Sequence, residues 1–360
     1  VLAHFGGLEL IMKQEDFSLA KRFESERLRE WFFRARRHLP WRENPSPYEV
    51  WISEVMLQQT QVAVVIPYYK KWMKTFPTVE ALARAPIEKV IKLWEGLGYY
   101  SRARNLHAGA CYLLEKHGGE LPDTYDLLSQ VKGLGPYTVG AILSFAYKQK
   151  VPAVDGNVFR VLTRYFNISD PIDQGKTQKR IWALCESLLP EKEPWIIMEA
   201  LIELGALVCQ KKAKCMTCPL IDSCLGKSQA DLLPIKMKKQ EIIHLHRDVA
   251  IIVTGKECLL RQGEKGKVMA DLWEFPYFER GENIEETLGL NLQLLTSLEQ
   301  VNHGFTKYKA YLYPHIYQTK KKTVSGYQWL SISDMEKIPF SSGHRKIFTF
   351  LRNNHDLFIS

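Results

Sequence analysis

Residues 127–147 read LLSQVKGLGPYTVGAILSFAY. An apolar helix runs into Gly133-Leu134-Gly135, and a second helix opens near Pro136, where proline suits the first helical turn. The two glycines can expose backbone amides. A tight glycine turn feeding a helix N-terminus makes a cradle for one phosphate, because unpaired N–H groups and the helix dipole both favour negative charge. On its own the turn reads better as an ordinary helix–helix connection. The stretch that follows, VPAVDGNVFRVLTR from Val151, places Asp155 one residue before a glycine, after an apolar run and ahead of a new helix. An isolated aspartate there is an N-cap. The succession of hairpin and aspartate makes these residues a candidate site.

Working outward, residues 17 to 225 carry helical periodicity broken by Gly and Pro, as in SLAKRFESERLREWFFRAR, TVEALARAPIEKVIKLWEGLG and QKRIWALCESLLP. Residues 226–246, GKSQADLLPIKMKKQEIIHLH, turn polar and basic and read as a linker. Beyond it DVAIIVT, CLLRQ and YKAYLYPHIYQT read as strands, the last alternating Tyr311, Tyr313, His315 and Tyr317 with Ala310, Leu312 and Ile316. The expected architecture is therefore multi-domain, an all-α domain over 17–225 followed by an α+β domain over 247–360. The 360 residues are enough for two cores. Residues 1–16 are expected to be a disordered extension, with Met12 a candidate start. No run of 18 apolar residues and no basic signal-peptide head occur, so no membrane partner and a cytoplasmic location are expected.

Four of the seven cysteines, Cys209, Cys215, Cys218 and Cys224, close the stretch LIELGALVCQKKAKCMTCPLIDSCLGK. Thiolates packed this closely repel one another unless a cation or an iron–sulfur core neutralises them. One C-x2-C pair between two five-residue spacers lacks the double knuckle of a zinc ribbon, and the uneven spacing favours a 4Fe-4S cluster over zinc. Cys111, Cys185 and Cys258 are scattered, as in a reducing compartment. The formal net charge is +9. From Cys209 to Lys239 seven lysines face Asp222 and Asp231, a net +5 that suits a phosphate backbone or a plain solvated face.

With these residues in hand, VKGLGPYTVGAIL from Val131 resembles the hairpin of the helix-hairpin-helix DNA glycosylases, and the terminal cysteine set belongs to the same superfamily. LPWRENPSPYEVWISEVMLQQTQV from Leu39 and WEGLGYYSRARNLH from Trp94 are similar to the adenine-removing, MutY-type branch. LWEFPYF from Leu272 resembles the Nudix-like domain that such enzymes carry. The resemblance implies a helical glycosylase domain with an iron–sulfur loop, a Nudix-like lesion-recognition domain, and a monomer acting on double-stranded DNA with an A:8-oxoguanine or A:G mispair.

Residue by residue, the resemblance makes Glu54 the general acid that protonates adenine N7. Its apolar neighbours Trp51, Ile52, Val55 and Leu57 independently favour a carboxyl that keeps its proton. Asp155 becomes the carboxylate that stabilises the oxocarbenium-like sugar, as in retaining glycosidases, with Asn157 supporting it and the attacking water. Tyr137 stands where endonuclease III-type relatives use lysine as a Schiff-base nucleophile. A phenol cannot form that imine, which implies an enzyme that leaves an abasic site. Gln58, Gln59 and Tyr99 match gap-filling and wedging positions. Arg42 either positions the Glu54 helix or touches a phosphate, and Gly133 and Gly135 contact the backbone.

Two departures matter. The lesion-reading Phe-Ser-His of the family has its nearest match in Phe305-Thr306-Lys307, and five residues separate Cys209 from Cys215 where six are usual, which keeps zinc open. EETLG from Glu285 lacks the spacing of a magnesium-binding Nudix box, so recognition without hydrolysis is expected. A bifunctional glycosylase/lyase and a non-catalytic DNA-binding protein are the rival readings.

Overall fold

A computed structural model describes residues 12, 14–237, 241–264, 269–305 and 307–354. Contacts divide the chain into two units, Val1–Ala81 with Ala108–Lys239, and Leu82–His107 with Gln240–Ser360. The helix Ser101–His117 passes from one to the other.

The first unit is helical. The stretch SLAKRFESERLREWFFRAR, read as helical, is covered by two helices, Gln14–Ala20 and Ser25–Ala35. The break contains neither Gly nor Pro, and Phe23 in it stacks edge-on against Tyr165 with ring centroids 5.4 Å apart, so tertiary packing overrides local propensity there. The first helix also starts inside the stretch expected as an extension. Asp16 is wholly buried and accepts two hydrogen bonds from Arg180, at 2.9 and 2.6 Å, which holds the chain in place.

At the centre lies the helix Pro47–Leu57. Ser46 and Glu49 form a reciprocal capping box and Pro47 occupies the first position, so its start is strongly specified. Tyr48, Val50, Trp51, Ile52, Val55 and Met56 are all buried, as an apolar-all-round helix requires. It packs against the hairpin helix Pro136–Ala141 and the π-helical turn Ile142–Ala146 that continues it. Gly133 has φ +89°, a conformation side chains rarely adopt, and it lets the short helix Tyr125–Ser129 turn into the second helix of the hairpin.

Among the described residues, the second unit is built on an eight-stranded mixed sheet. Strands β1 (Ile243–Thr254) and β7 (Tyr308–Gln318) pair in parallel at its middle. β2 (Glu257–Gln262), β3 (Trp273–Glu274), β4 (Tyr277–Glu279), β5 (Gln293–Ser297), β6 (Val301–Phe305) and β8 (Gln328–Ser331) add antiparallel pairs. Alternation along β7 buries Ala310, Leu312 and Ile316 and leaves the tyrosines between them half-buried. The helix Ser342–Asn353 covers one face through Ile347, Phe348 and Leu351, packed on Val249, Ile251 and Phe340. Strand β1 starts at Ile243, inside the stretch expected as a linker, because Ile243 N–H donates to the Lys307 carbonyl at 2.8 Å and extends the parallel ladder.

Candidate active site

A cleft of about 970 Å³ in the helical unit is lined by Arg42, Glu54, Gln58, Gln59, Tyr137, Asp155, Asn157 and Glu199, among others. Most of the residues expected to act on a base thus face one space. The helix Pro47–Leu57 delivers Glu54, the hairpin helix Tyr137, and the start of the helix Gly156–Tyr165 delivers Asp155 and Asn157.

Glu54 is 8% exposed. Burial pushes its carboxyl up to about 7; the Tyr137 hydrogen bond pulls against this, and Asp155 adds to it. The Tyr137 hydroxyl donates to Glu54 Oε2 at 2.5 Å. Burial, with Glu54 beside it, pushes the phenol well above its ordinary range, so at neutral pH it stays a donor.

Asp155 caps its helix. Oδ1 accepts from the N–H groups of Asn157 (2.9 Å) and Val158 (2.8 Å), and Oδ2 from Asn157 Nδ2 (2.7 Å). Burial raises its pKa and these three donors oppose the rise. Glu54 has one donor and apolar walls, whereas Asp155 has three donors and a helix N-terminus. The surroundings therefore favour the proton on Glu54 and the charge on Asp155, a division that acid catalysis with cation stabilisation needs.

Asn157 is held in turn. Arg160 Nη2 donates to Asn157 Oδ1 and to the Gly205 carbonyl, both at 2.8 Å, and Arg160 Nε donates to the Cys209 carbonyl at 2.7 Å. Gly205 lets the helix Pro194–Leu207 come this close: a Cβ there would stand 2.5 Å from Asn157 Cβ. Gly205→Ala should therefore displace Asn157 and Asp155 and slow turnover on the order of tenfold to a hundredfold, since small misplacement of a reacting group is costly. Adenine release in single turnover, with helix content followed by circular dichroism, checks this.

Arg42, read either as a positioner of the Glu54 helix or as a phosphate contact, is held by internal partners. It donates to Glu203 Oε2 at 2.7 Å and to the Arg37 carbonyl at 3.2 Å, and stands 3.8 Å from Glu199. Arg37 Nε meets the other Glu203 oxygen at 2.7 Å. Burial alone would raise Glu203, but hydrogen bonds from Arg37 and Arg42 outweigh it and hold the carboxyl at about 2. Sequence reading missed Glu199 and Glu203. The signal was there, two glutamates four apart in the apolar run MEALIELG, which need cationic partners once buried.

Gln58 caps the Glu54 helix and its Nε2 donates to Thr138 Oγ1 at 3.4 Å, while Gln59 sits at φ +56° on the cleft wall. Gly133 and Gly135 are exposed at the hairpin turn. Tyr99 falls in the other unit, 43% exposed at φ +47°. Of the expected lesion-reading triplet, Lys307 is exposed with its ammonium 5.5 Å from the Tyr308 ring, while Thr306 and the Phe305 side chain lie outside the described residues.

Cys209, Cys215, Cys218 and Cys224 line one hollow together with Arg164, whose Nη1 stands 3.4 Å from Cys209 Sγ. Among the described residues no group of three or more His, Cys, Asp or Glu side chains is arranged to hold a single metal ion. The four thiols thus converge on one hollow. No helix among the described residues is long and apolar enough to cross a membrane.

Comparison with known proteins gives the family. Residues 52–187 match the model of the HhH-GPD superfamily base excision DNA repair proteins, and residues 248–349 match a NUDIX domain. The adenine DNA glycosylase of Buchnera aphidicola subsp. Baizongia pistaciae is 34% identical over 337 residues, 89% of this chain and 94% of that one. That of Homo sapiens is 42% identical over 211 residues, 56% of this chain and 39% of the human one. The solved structure of a thermostable thymine-DNA glycosylase aligns with a TM-score of 0.54 at 26% identity, covering 59% of this chain and 98% of that one. A buried carboxyl and a half-buried one in unlike surroundings, a hairpin that presents Tyr137 to the first, and likeness along nearly the whole of a bacterial relative lead to one assignment: the chain belongs to the adenine DNA glycosylase family of base-excision repair enzymes.

Proposed function

We propose that the chain flips adenine out of double-stranded DNA mispaired with 8-oxoguanine or guanine and hydrolyses its glycosidic bond, leaving an abasic site. The observation that carries this is the Tyr137–Glu54 pair in the cleft that Asp155 also lines. Glu54, kept protonated, delivers its proton to adenine N7 and makes the base a leaving group. Ionised Asp155 faces the positive sugar that results. Asn157 holds Asp155 in orientation through its side-chain amide. Tyr137 offers a phenol where a lyase needs an amine, so the strand is left uncut.

Gln58 and Gln59 line the cleft and are assigned to the vacated stack, with Tyr99 as the wedge. Phe305, Thr306 and Lys307 are assigned to the lesion on the opposite strand. The exposed amides of Gly133 and Gly135 suit one DNA phosphate. Single-turnover release of adenine from duplexes carrying A:8-oxoguanine, A:G and A:C tests the assignment; release from the first two over A:C is expected, and absence of release from all three refutes it. Borohydride trapping should capture no covalent complex.

The four cysteines suit a 4Fe-4S cluster. Four convergent thiols can supply the four thiolate ligands that such a cluster takes, and their uneven sequence spacing favours it over zinc. The core would neutralise the thiolates and shape the loop that carries Lys211, Lys212 and Lys214. Protein purified without oxygen should be brown with about four irons per chain. Replacing any one cysteine should weaken DNA binding before it alters the chemistry, which binding and single-turnover rates separate; stoichiometric zinc without iron is the contrary result.

A further inference from the structure

The candidate wedge, Tyr99, sits on a loop whose two ends are fastened to the same backbone group pair of the C-terminal half. Before the loop, Glu95 Oε1 accepts from the Phe340 N–H at 3.0 Å. After it, the Tyr100 hydroxyl donates to the Phe340 carbonyl at 3.1 Å. Glu95 is also ion-paired: Arg345 Nε meets Oε1 at 2.6 Å and Lys92 Nζ meets Oε2 at 2.7 Å, with the Glu95 side chain only 15% exposed. Arg345 and Lys92 both donate to the Ile338 carbonyl, at 2.8 and 2.9 Å. Farther along, Arg104 binds the Ala270 carbonyl at 3.0 Å and Asp271 at 3.3 Å. These contacts explain why residues 82–107 belong to the second unit.

Within the loop, Gly96, Gly98 and Tyr99 all have positive φ, at 103°, 72° and 47°. A non-glycine residue at such an angle is held by its surroundings. Arg102 does part of the holding, donating to the carbonyls of Leu97 and Gly98, both at 3.1 Å, with its guanidinium 5.1 Å from Trp94 and 5.7 Å from Tyr99. From Phe340 the path continues to the hairpin that carries the lesion-reading candidates. Arg345 lies on the helix Ser342–Asn353, whose first residue, Ser342, hydrogen-bonds His303 on β6 at 2.6 Å. A Cβ on Gly343 would meet Leu312 at 2.8 Å and His303 at 3.1 Å, so this helix is seated directly on β6 and β7, the two strands joined at Phe305-Thr306-Lys307.

We infer that Glu95 is a positioning residue: through Arg345 and Phe340 it ties the Tyr99 loop to the β6–β7 hairpin, so that reading the opposite base sets how the wedge is held. This rests on the assignment of Tyr99 as wedge and of the hairpin as lesion reader. Glu95 touches neither the base nor the sugar in this account. Its effect is on discrimination between mispairs, not on the chemical step.

The test uses the full chain and single-turnover rates on A:8-oxoguanine and A:G duplexes. Glu95→Ala and Arg345→Ala should each lower the ratio of the two rates about threefold to tenfold. The double variant should be no worse than either single one, since both remove the same tie, and Arg345→Lys should retain most of the ratio. An unchanged ratio in the single variants, or equal slowing on both duplexes alongside a lower thermal midpoint, overturns the inference. Tyr99→Ala separates the two levels. If it loses the preference while Glu95→Ala keeps it, the tie is wrong and the wedge stands. If Tyr99→Ala keeps the preference, or the unaltered protein shows none, the assignment beneath the inference fails and takes the inference with it.

Discussion

Glu54→Gln is expected to slow adenine release about 10²- to 10⁴-fold while leaving duplex binding intact, the range for loss of a positioned general acid. Glutamine keeps the shape and can still accept the Tyr137 hydrogen bond, but it has no proton to give. The same reasoning predicts a pH dependence. Burial lifts Glu54 to about 7, so the active, protonated form is dominant below that value and is lost as pH rises through it. Single-turnover rates should therefore fall on the alkaline side of about pH 7. Tyr137→Phe removes a hydrogen bond that lowers the Glu54 value, and the alkaline limb should move upward. The folding linkage has the same sign. A carboxyl raised above its unfolded value of 4.5 supports the fold fully below that pH and loses its contribution as pH climbs through about 7. A pH-independent rate across this range, or near-normal release by Glu54→Gln, would remove Glu54 from the mechanism.

Asp155→Asn is expected to cost about 10²- to 10³-fold in the same assay, because a fixed charge aimed at a developing cation is worth that much at a preorganised site. The substitution separates chemistry from folding unusually well. Asparagine is as good an N-cap as aspartate, so its side-chain oxygen can still accept from the Asn157 and Val158 N–H groups and the thermal midpoint should change little. What is lost is the charge, together with the acceptor that Asn157 Nδ2 uses. A large drop in thermal midpoint accompanying the rate loss would assign Asp155 to capping alone, which is how an isolated aspartate before glycine reads.

The hairpin, the aspartate that follows it, the cysteine set and the change from helical to strand periodicity could all be read from local pattern, whereas the pairing of Glu54 with Asp155 came from the family resemblance. Each depends on short-range spacing: a glycine turn before a helix start, an aspartate before a glycine, thiols within a few residues, alternation of period two along β7. What the sequence could not supply was the use of charges that act over long separations. Arg42 reads alike as a phosphate contact or an internal tether, and only the approach of Glu199 and Glu203, some 160 positions away, makes it internal. Glu54 could be expected to hold its proton, but the single phenolic donor that faces it arrives from 83 residues farther along. The attachment of residues 82–107 to the C-terminal unit was likewise invisible, because Glu95, Tyr100 and Arg104 are ordinary surface types until Phe340, Arg345 and Asp271 fold against them. Local pattern determined which elements form, and the resemblance carried by that pattern named the candidate residues; the three-dimensional meeting of distant charges decided their surroundings, their anchoring, and the unit to which Tyr99 belongs.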